Sequence, residues 1–99
     1  MAEENFRTER LSELTDNQEA IIVKVLGHGA FRKRITEMGF VAGTEIKVIK
    51  QAPLNGPIEY ELLGYHVSLR HREAELIEIV TDTNANINNG GNITESETL

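Results

Sequence analysis

Apolar residues recur along the chain with two different periods. Between Gly27 and Phe40 they fall at Phe31, Ile35 and Met38, the i, i+4, i+7 spacing that collects side chains on one face of a helix, with Arg32, Lys33 and Thr36 pointing away. Gly39 stands where a helix stop needs a left-handed residue, and Phe40 follows it, placed to touch Ile35 one turn back. The pattern predicts a turn, a short basic helix and a stop at Met38. Lys33 and Glu37 add an i, i+4 pair in the less favourable order, worth at most about 0.3 kcal/mol.

Elsewhere the period is two. Glu19 to Leu26 is rich in β-branched residues, with Ile21, Val23 and Val25 alternating against Ile22, Lys24 and Leu26, which predicts a first strand covered on both faces. Val41-Ala42-Gly43-Thr44 carries glycine at the third position, where a type II turn needs positive φ. Thr44 to Lys50 then alternates with Ile46 and Val48 inward, and Ile58 to Leu63 with Ile58, Tyr60 and Leu62 inward. The loop between them contains Asn55-Gly56, a hairpin signal. Gly64 allows a tight reversal into Tyr65, Val67 and Leu69, which repeat the inward pattern. Arg70 to Glu75 breaks the alternation as a single helical turn would, and Leu76 to Val80 supplies a last strand. Ahead of all this, Leu11 and Leu14 are spaced to plug the end of a core.

Five short strands in about 70 residues bury enough only if they close on themselves. The reading is therefore mainly β: a small five-stranded barrel with one short helix after the first strand, short helical turns, and few exposed sheet edges. Residues 1–10, with Phe6 as the one apolar anchor, read as a flexible N-terminus. Residues 11–80 make the domain. Residues 81–99, built from Asn, Thr, Gly, Ser and Glu, read as a disordered polar tail.

Composition removes several function classes. The 99 residues contain no cysteine, so thiolate metal sites, thiol nucleophiles and disulfides are excluded, as suits a reducing cytoplasm. No apolar run approaches the length of a membrane span or a signal h-region. The net charge is −6, but Glu3, Glu4, Asp82, Glu95 and Glu97 lie in the terminal segments, so the centre is near balance and argues only weakly against nucleic acid.

In order along the chain, Leu11-Ser12-Glu13-Leu14, the Gly27 to Ile35 segment with its Gly-x-Gly-Ala-x-Arg-x-Arg-Ile pattern, Met38-Gly39-Phe40, Gly43-Thr44, Ala52-Pro53-Leu54, Pro57-Ile58-Glu59 and Ser68-Leu69-Arg70 resemble the FeoA family of ferrous iron transport proteins. The helix with its Met-Gly-Phe stop is the specific part. One departure is Ala42, where that family often has proline before the turn glycine. The resemblance implies an SH3-like domain over 11–80 and a small cytoplasmic accessory protein of ferrous iron uptake, neither enzyme nor cofactor binder. It implies a partner, the ferrous iron permease FeoB, a GTP-binding membrane protein, with no membrane insertion of its own; weak self-association stays open. The module is similar also to the C-terminal domain of iron-dependent repressors, which carry a DNA-binding domain upstream that a chain of this length has no room for. A nucleic-acid-binding small barrel and a metal-sensing regulatory domain are the alternatives.

Candidate chemistry is sparse. His28, His66 and His71 could ligate a divalent metal, but no two sit at the i, i+3 or i, i+4 interval of a helical site, and solvated surface histidines are the usual outcome. Gly27-His28-Gly29 before a helix suits anion binding by free amides or plain turn geometry; it lacks the longer loop and Lys-Ser/Thr ending of a nucleotide site. Arg32, Lys33 and Arg34 form a basic cluster suited to an acidic partner, or a solvated helix face. Leu54 at a loop tip and Leu63 on the strand face opposite Tyr60 and Leu62 are apolar where polar residues would serve, so either could anchor a partner. Phe31, Ile35, Met38, Gly39, Phe40 and Gly43 are assigned to structure. Tyr60 and Tyr65 are expected on inner faces, which leaves no exposed aromatic platform for single-stranded nucleic acid.

Overall fold

The computed structural model describes residues 7–81. Six strands, β1 (Glu9–Arg10), β2 (Glu19–Val25), β3 (Glu45–Gln51), β4 (Ile58–Leu62), β5 (Tyr65–Leu69) and β6 (Ile77–Thr81), form one antiparallel sheet in the order β1-β6-β2-β3-β4-β5. Helix α1 (Gly29–Glu37) lies between β2 and β3, the four-residue α2 (His71–Ala74) between β5 and β6, and a 3₁₀ turn covers Leu11–Glu13. The expected mainly β domain is present, with one strand more than the pattern showed.

That extra strand comes from the segment expected to be flexible. Glu9 pairs with Ile79 and Arg10 with Glu78, and the Arg10 guanidinium donates to the Glu75 carbonyl at 2.8 Å. Two paired residues carry too little alternation to read as a strand. At the other end Thr81 belongs to β6 and is buried, so the folded unit runs past the expected boundary at Val80. Phe6 and the polar tail from Asp82 onward lie outside the described residues.

Two bulges bend this single sheet around one core. Between Ile22 and Lys24 the pairing of β2 with β6 shifts register, and between Val48 and Lys50 that of β3 with β4 does the same. An extra residue opposite one partner increases local twist and re-aims the side chains beyond it. Ala20, Ile22 and Val25 therefore face the core, and Val23, expected to share a face with Val25, is turned outward. The sheet keeps two edges, β1 and β5; both are short, which limits what they offer to another chain.

The core gathers Ile46, Val48, Ile58, Tyr60, Leu62, Leu69, Ile77 and Ile79 from the strands, with Leu11 and Leu14 closing one end as the plug their spacing predicts. Ile35 and Phe40 seal it at the helix, whereas Phe31 and Met38 are only half-buried against it. The helix stops where expected: α1 ends at Glu37 with Met38 as its C-cap, Gly39 has φ +107°, the Gly39 amide donates to the Thr36 carbonyl at 3.0 Å and the Phe40 amide to the Ile35 carbonyl at 3.2 Å. These are the paired bonds of a Schellman stop. Gly43 has φ +94° and the Thr44 amide reaches the Val41 carbonyl at 3.1 Å, as the type II turn requires.

Both helical turns start the same way. The backbone amide of Arg10 donates to Glu13 Oε1 at 3.2 Å and that of Arg70 to Glu73 Oε1 at 2.9 Å. In each Arg-x-x-Glu stretch the glutamate reaches back to satisfy an amide that the turn leaves unpaired, half of a capping box.

Candidate partner-binding site

The basic cluster on α1 is not the free patch its sequence suggests. The Arg32 guanidinium donates to the Val25 carbonyl at 2.5 Å, tying the exposed face of the helix to the end of β2. Arg34 spans to α2, where Nη2 meets Glu73 Oε2 at 2.6 Å, and its guanidinium sits 6.0 Å from the centroid of the Phe31 ring. Lys33 alone of the three has no hydrogen bond or ion pair among the described residues, and the expected Lys33–Glu37 pair does not form. Guanidinium groups on one helical turn reach past their own helix to neighbouring carbonyls and carboxylates, which residue spacing does not reveal.

Glu73 is the electrostatic centre of this end. Burial alone would push its carboxyl up, but the Arg70 backbone amide and the Arg34 and Arg70 guanidinium groups outweigh that and hold it below its ordinary value. Helix α1, the turn α2 and the end of β5 are thereby joined through one carboxylate.

Leu63 and Leu54 sit at opposite ends of β4. Leu63 and Gly64 are the two residues linking β4 to β5, with φ +54° and +83°, the pair of positive values of a type I′ turn. The Leu63 side chain is 67% exposed yet lies directly over the helix stop: a Cβ added to Gly39 would be 2.5 Å from Leu63 Cδ1. Beside it Tyr65 pairs with Leu62 on the expected inner face, but at the sheet edge it is only partly covered. It is 41% exposed, and its hydroxyl donates to the Met38 carbonyl. At the end of a twisted edge strand the ring leans over the helix terminus, where its oxygen satisfies one of the carbonyls α1 leaves unpaired. Leu63 and Tyr65 thus both serve to clamp the helix end.

Leu54 clamps nothing. The reversal between β3 and β4 is centred on Leu54 and Asn55, with φ +58° and +57°, and closed by the Gly56 amide on the Pro53 carbonyl at 3.1 Å. The turn sits one residue earlier than the expected Asn55-Gly56. Gly56 is held in the following place because a Cβ there would come within 2.9 Å of Ala52 Cβ and 3.1 Å of the Pro53 carbonyl oxygen. Leu54 is 98% exposed. Against the base of this tip runs a groove lined by Gly56, Pro57, Arg70, His71 and Arg72. Arg70 and Arg72 escaped notice as site residues because the run Arg70-His71-Arg72 reads only as a break in strand alternation; its nearness to the tip is made by the fold.

The histidines are dispersed. His28 precedes α1 and is exposed, His66 Nδ1 lies 2.8 Å from Glu59 Oε2, and His71 Nδ1 lies 3.3 Å from Glu75 Oε2. Among the described residues no three His, Asp or Glu side chains group as a metal ion would need. Tyr60, fully buried, carries a hydroxyl without a hydrogen-bond partner among the described residues, and burial pushes its phenol above the usual tyrosine range. No helix among the described residues is long and apolar enough to cross a membrane.

Comparison with known proteins agrees with this architecture. A model of the FeoA domain family matches residues 9–81, the segment that the folded unit occupies from β1 to β6. A fusion protein of Fe(2+) transport protein A and the Fe(2+) transporter FeoB from Porphyromonas gingivalis is 53% identical over 70 residues, 71% of this chain and 8% of that protein. An Fe(2+) transport protein A of Campylobacter jejuni is 38% identical over 69 residues, 70% of this chain and 93% of that one. Among solved structures, the FeoA of Stenotrophomonas maltophilia complexed with zinc, described as a prokaryotic SH3 domain protein, superposes with a TM-score of 0.66 at 26% identity over 77% of this chain and 93% of that chain. The chain spans a small fraction of the fusion relative and 93% of the Campylobacter jejuni and Stenotrophomonas maltophilia proteins. With the family segment, the curated relatives and the fold in agreement, this chain belongs to the FeoA family, associated with ferrous iron transport and built on an SH3-like domain.

Proposed function

We propose that the protein is a cytoplasmic accessory factor of ferrous iron uptake that works by binding FeoB rather than by catalysis. The observation that carries this reading is the Porphyromonas relative, in which a segment 53% identical to this chain shares a polypeptide with FeoB. Covalent fusion converts association into an intramolecular event at an effective concentration of about millimolar. Where the module is not joined to FeoB, it must reach its partner by affinity instead, through a dedicated surface. The absence of cysteine suits a reducing compartment. A binding role also fits a small barrel whose ionisable groups are spent on joining its own elements, as in the contacts of Arg32, Arg34 and Glu73.

The test is direct. Purified full-length protein should bind FeoB of the same cell in detergent or nanodiscs, and a strain lacking the protein should take up ferrous iron more slowly until the gene is restored. Absence of binding together with undiminished uptake would overturn the proposal.

A further inference from the structure

We infer that the hairpin tip from Pro53 to Gly56 is the anchor of this chain on FeoB, with Leu54 entering an apolar pocket of the partner while Arg70 and Arg72 meet carboxylates on that pocket's rim. The inference rests on the reading of the chain as a FeoB-binding factor and adds which surface binds and what chemistry receives it.

The argument begins with a local conflict between residue and conformation. At φ +58° Leu54 holds the left-handed conformation, in which its Cβ crowds the backbone and which asparagine or glycine would adopt with less strain. Asn55 beside it follows that rule; Leu54 breaks it. A residue that breaks a local rule inside a fold is ordinarily compensated by burial, but this side chain is 98% exposed. The other strongly exposed leucine among the described residues, Leu63, has its compensation over Gly39. Leu54 gains nothing from its own chain, and such uncompensated positions mark function.

The tip is also built to be rigid. Proline fixes φ at residue 53, the Gly56 amide closes the turn on Pro53, and the Ala52 amide closes the loop on the Pro57 carbonyl at 3.0 Å. A leucine presented on a stiff turn loses little freedom on docking. Around its base stand Arg70 and Arg72, both exposed, and Arg72 forms no ion pair among the described residues. An apolar anchor flanked by cations is the layout of an interface hot spot with a charged rim, and it selects an apolar pocket edged by Asp or Glu. A bilayer fits less well, because stable membrane attachment takes more apolar surface than one leucine.

The experiment uses full-length protein and FeoB in nanodiscs of neutral lipid, with Leu54→Asn as the principal variant. Asparagine suits the turn, so its melting temperature should equal or exceed the parent's while its Kd for FeoB rises about thirtyfold or more. Arg72→Glu should slow association, with the difference shrinking as salt is raised. Leu63→Asn, at the far end of β4, should bind like the parent. Binding of Leu54→Asn within about twofold of the parent would overturn the inference and leave FeoB as partner. If the parent itself failed to bind FeoB, both readings would fall. Parent but not Leu54→Asn sedimenting with phosphatidylglycerol vesicles, with FeoB affinity unchanged between them, would assign the tip to a bilayer and equally overturn it.

Discussion

Gly39 answers to two demands at once, and Gly39→Ala separates them. Its φ of +107° costs a Cβ-bearing residue about 1 to 2 kcal/mol. The added methyl would also stand 2.5 Å from Leu63 Cδ1 and 3.6 Å from Leu62 Cδ1, and the first distance is too short to keep. The backbone is held by the Schellman bonds, so Leu63 is the group that yields, swinging outward. Leu63 is already 67% exposed, so it forfeits about a third of what full burial of a leucine is worth, about 0.5 to 1 kcal/mol. The total is about 1.5 to 3 kcal/mol, a fall in melting temperature of roughly 6 to 24 °C for a domain of this size. Gly43→Ala is the control: its φ is +94° and nothing lies within 4 Å of the new Cβ, leaving the conformational cost alone. Urea unfolding of both variants, each with and without Leu63→Ala, completes the comparison. Removing the Leu63 side chain should recover about 0.5 to 1 kcal/mol of the Gly39→Ala loss and none of the Gly43→Ala loss. Equal midpoints for the two alanine variants, with Leu63→Ala additive to both, would refute the contact; a Gly39→Ala midpoint equal to the parent's would refute the helix stop itself.

Tyr60→Phe removes a buried hydroxyl that has no partner among the described residues and should raise stability by about 1 kcal/mol in urea titrations; a loss of stability would reveal a bridging water. In alkaline titration followed by ultraviolet absorbance, Tyr60 should ionise only as the protein unfolds, because burial raises its phenol. The Glu73 carboxyl is depressed in the folded protein, so its contribution is complete above its ordinary value of 4.5 and drains away as pH falls through the lower folded value. The stability gap between parent and Glu73→Gln should therefore be widest at neutral pH and narrow in acid; a gap independent of pH would show that the carboxylate is not what Arg34 and the Arg70 amide hold.

Most of the fold is legible because both hydrophobic periods are clean. Phe31, Ile35 and Met38 place the helix, Gly39 ends it, and Ile58, Tyr60 and Leu62 set the inner face of β4 as they stand in the structure. Legibility fails where geometry departs from the ideal repeat. The bulge at Val23 shifts the phase of β2, so that Ile22 and Val25, three apart, share the core; a strict alternation cannot contain that pair. Tyr65 keeps the alternation, opposite Leu62 in register, but at the start of the edge strand its ring is only partly covered and its hydroxyl reaches the open Met38 carbonyl. Glu9 and Arg10 are recruited by the open edge of β6, a property of their neighbour rather than of themselves.

The candidate site is less legible for the same reason, and the basic helix face shows where the reading changes. Sequence treats Arg32, Lys33 and Arg34 as equivalent cations; the structure makes Arg32 a brace on Val25, Arg34 a bridge to Glu73, and leaves Lys33 in solvent. Reversing charge at the three positions should then separate roles that composition merges. Lys33→Glu adds one negative charge to an exposed position and should move stability by less than about 0.5 kcal/mol. Arg32→Glu takes a donor from the Val25 carbonyl and sets a carboxylate against it, and should cost about 1 kcal/mol or more despite an exposed starting position. Melting curves beside FeoB binding decide what the face is for. If Lys33→Glu keeps both stability and affinity while Arg32→Glu loses stability first, the helix face serves the fold and partner recognition belongs elsewhere, with Leu54 the place where the chain carries strain its own fold does not use. If Lys33→Glu keeps its stability and loses affinity, the lysine meets the partner directly, and the docking surface reaches from the hairpin tip to the exposed side of α1.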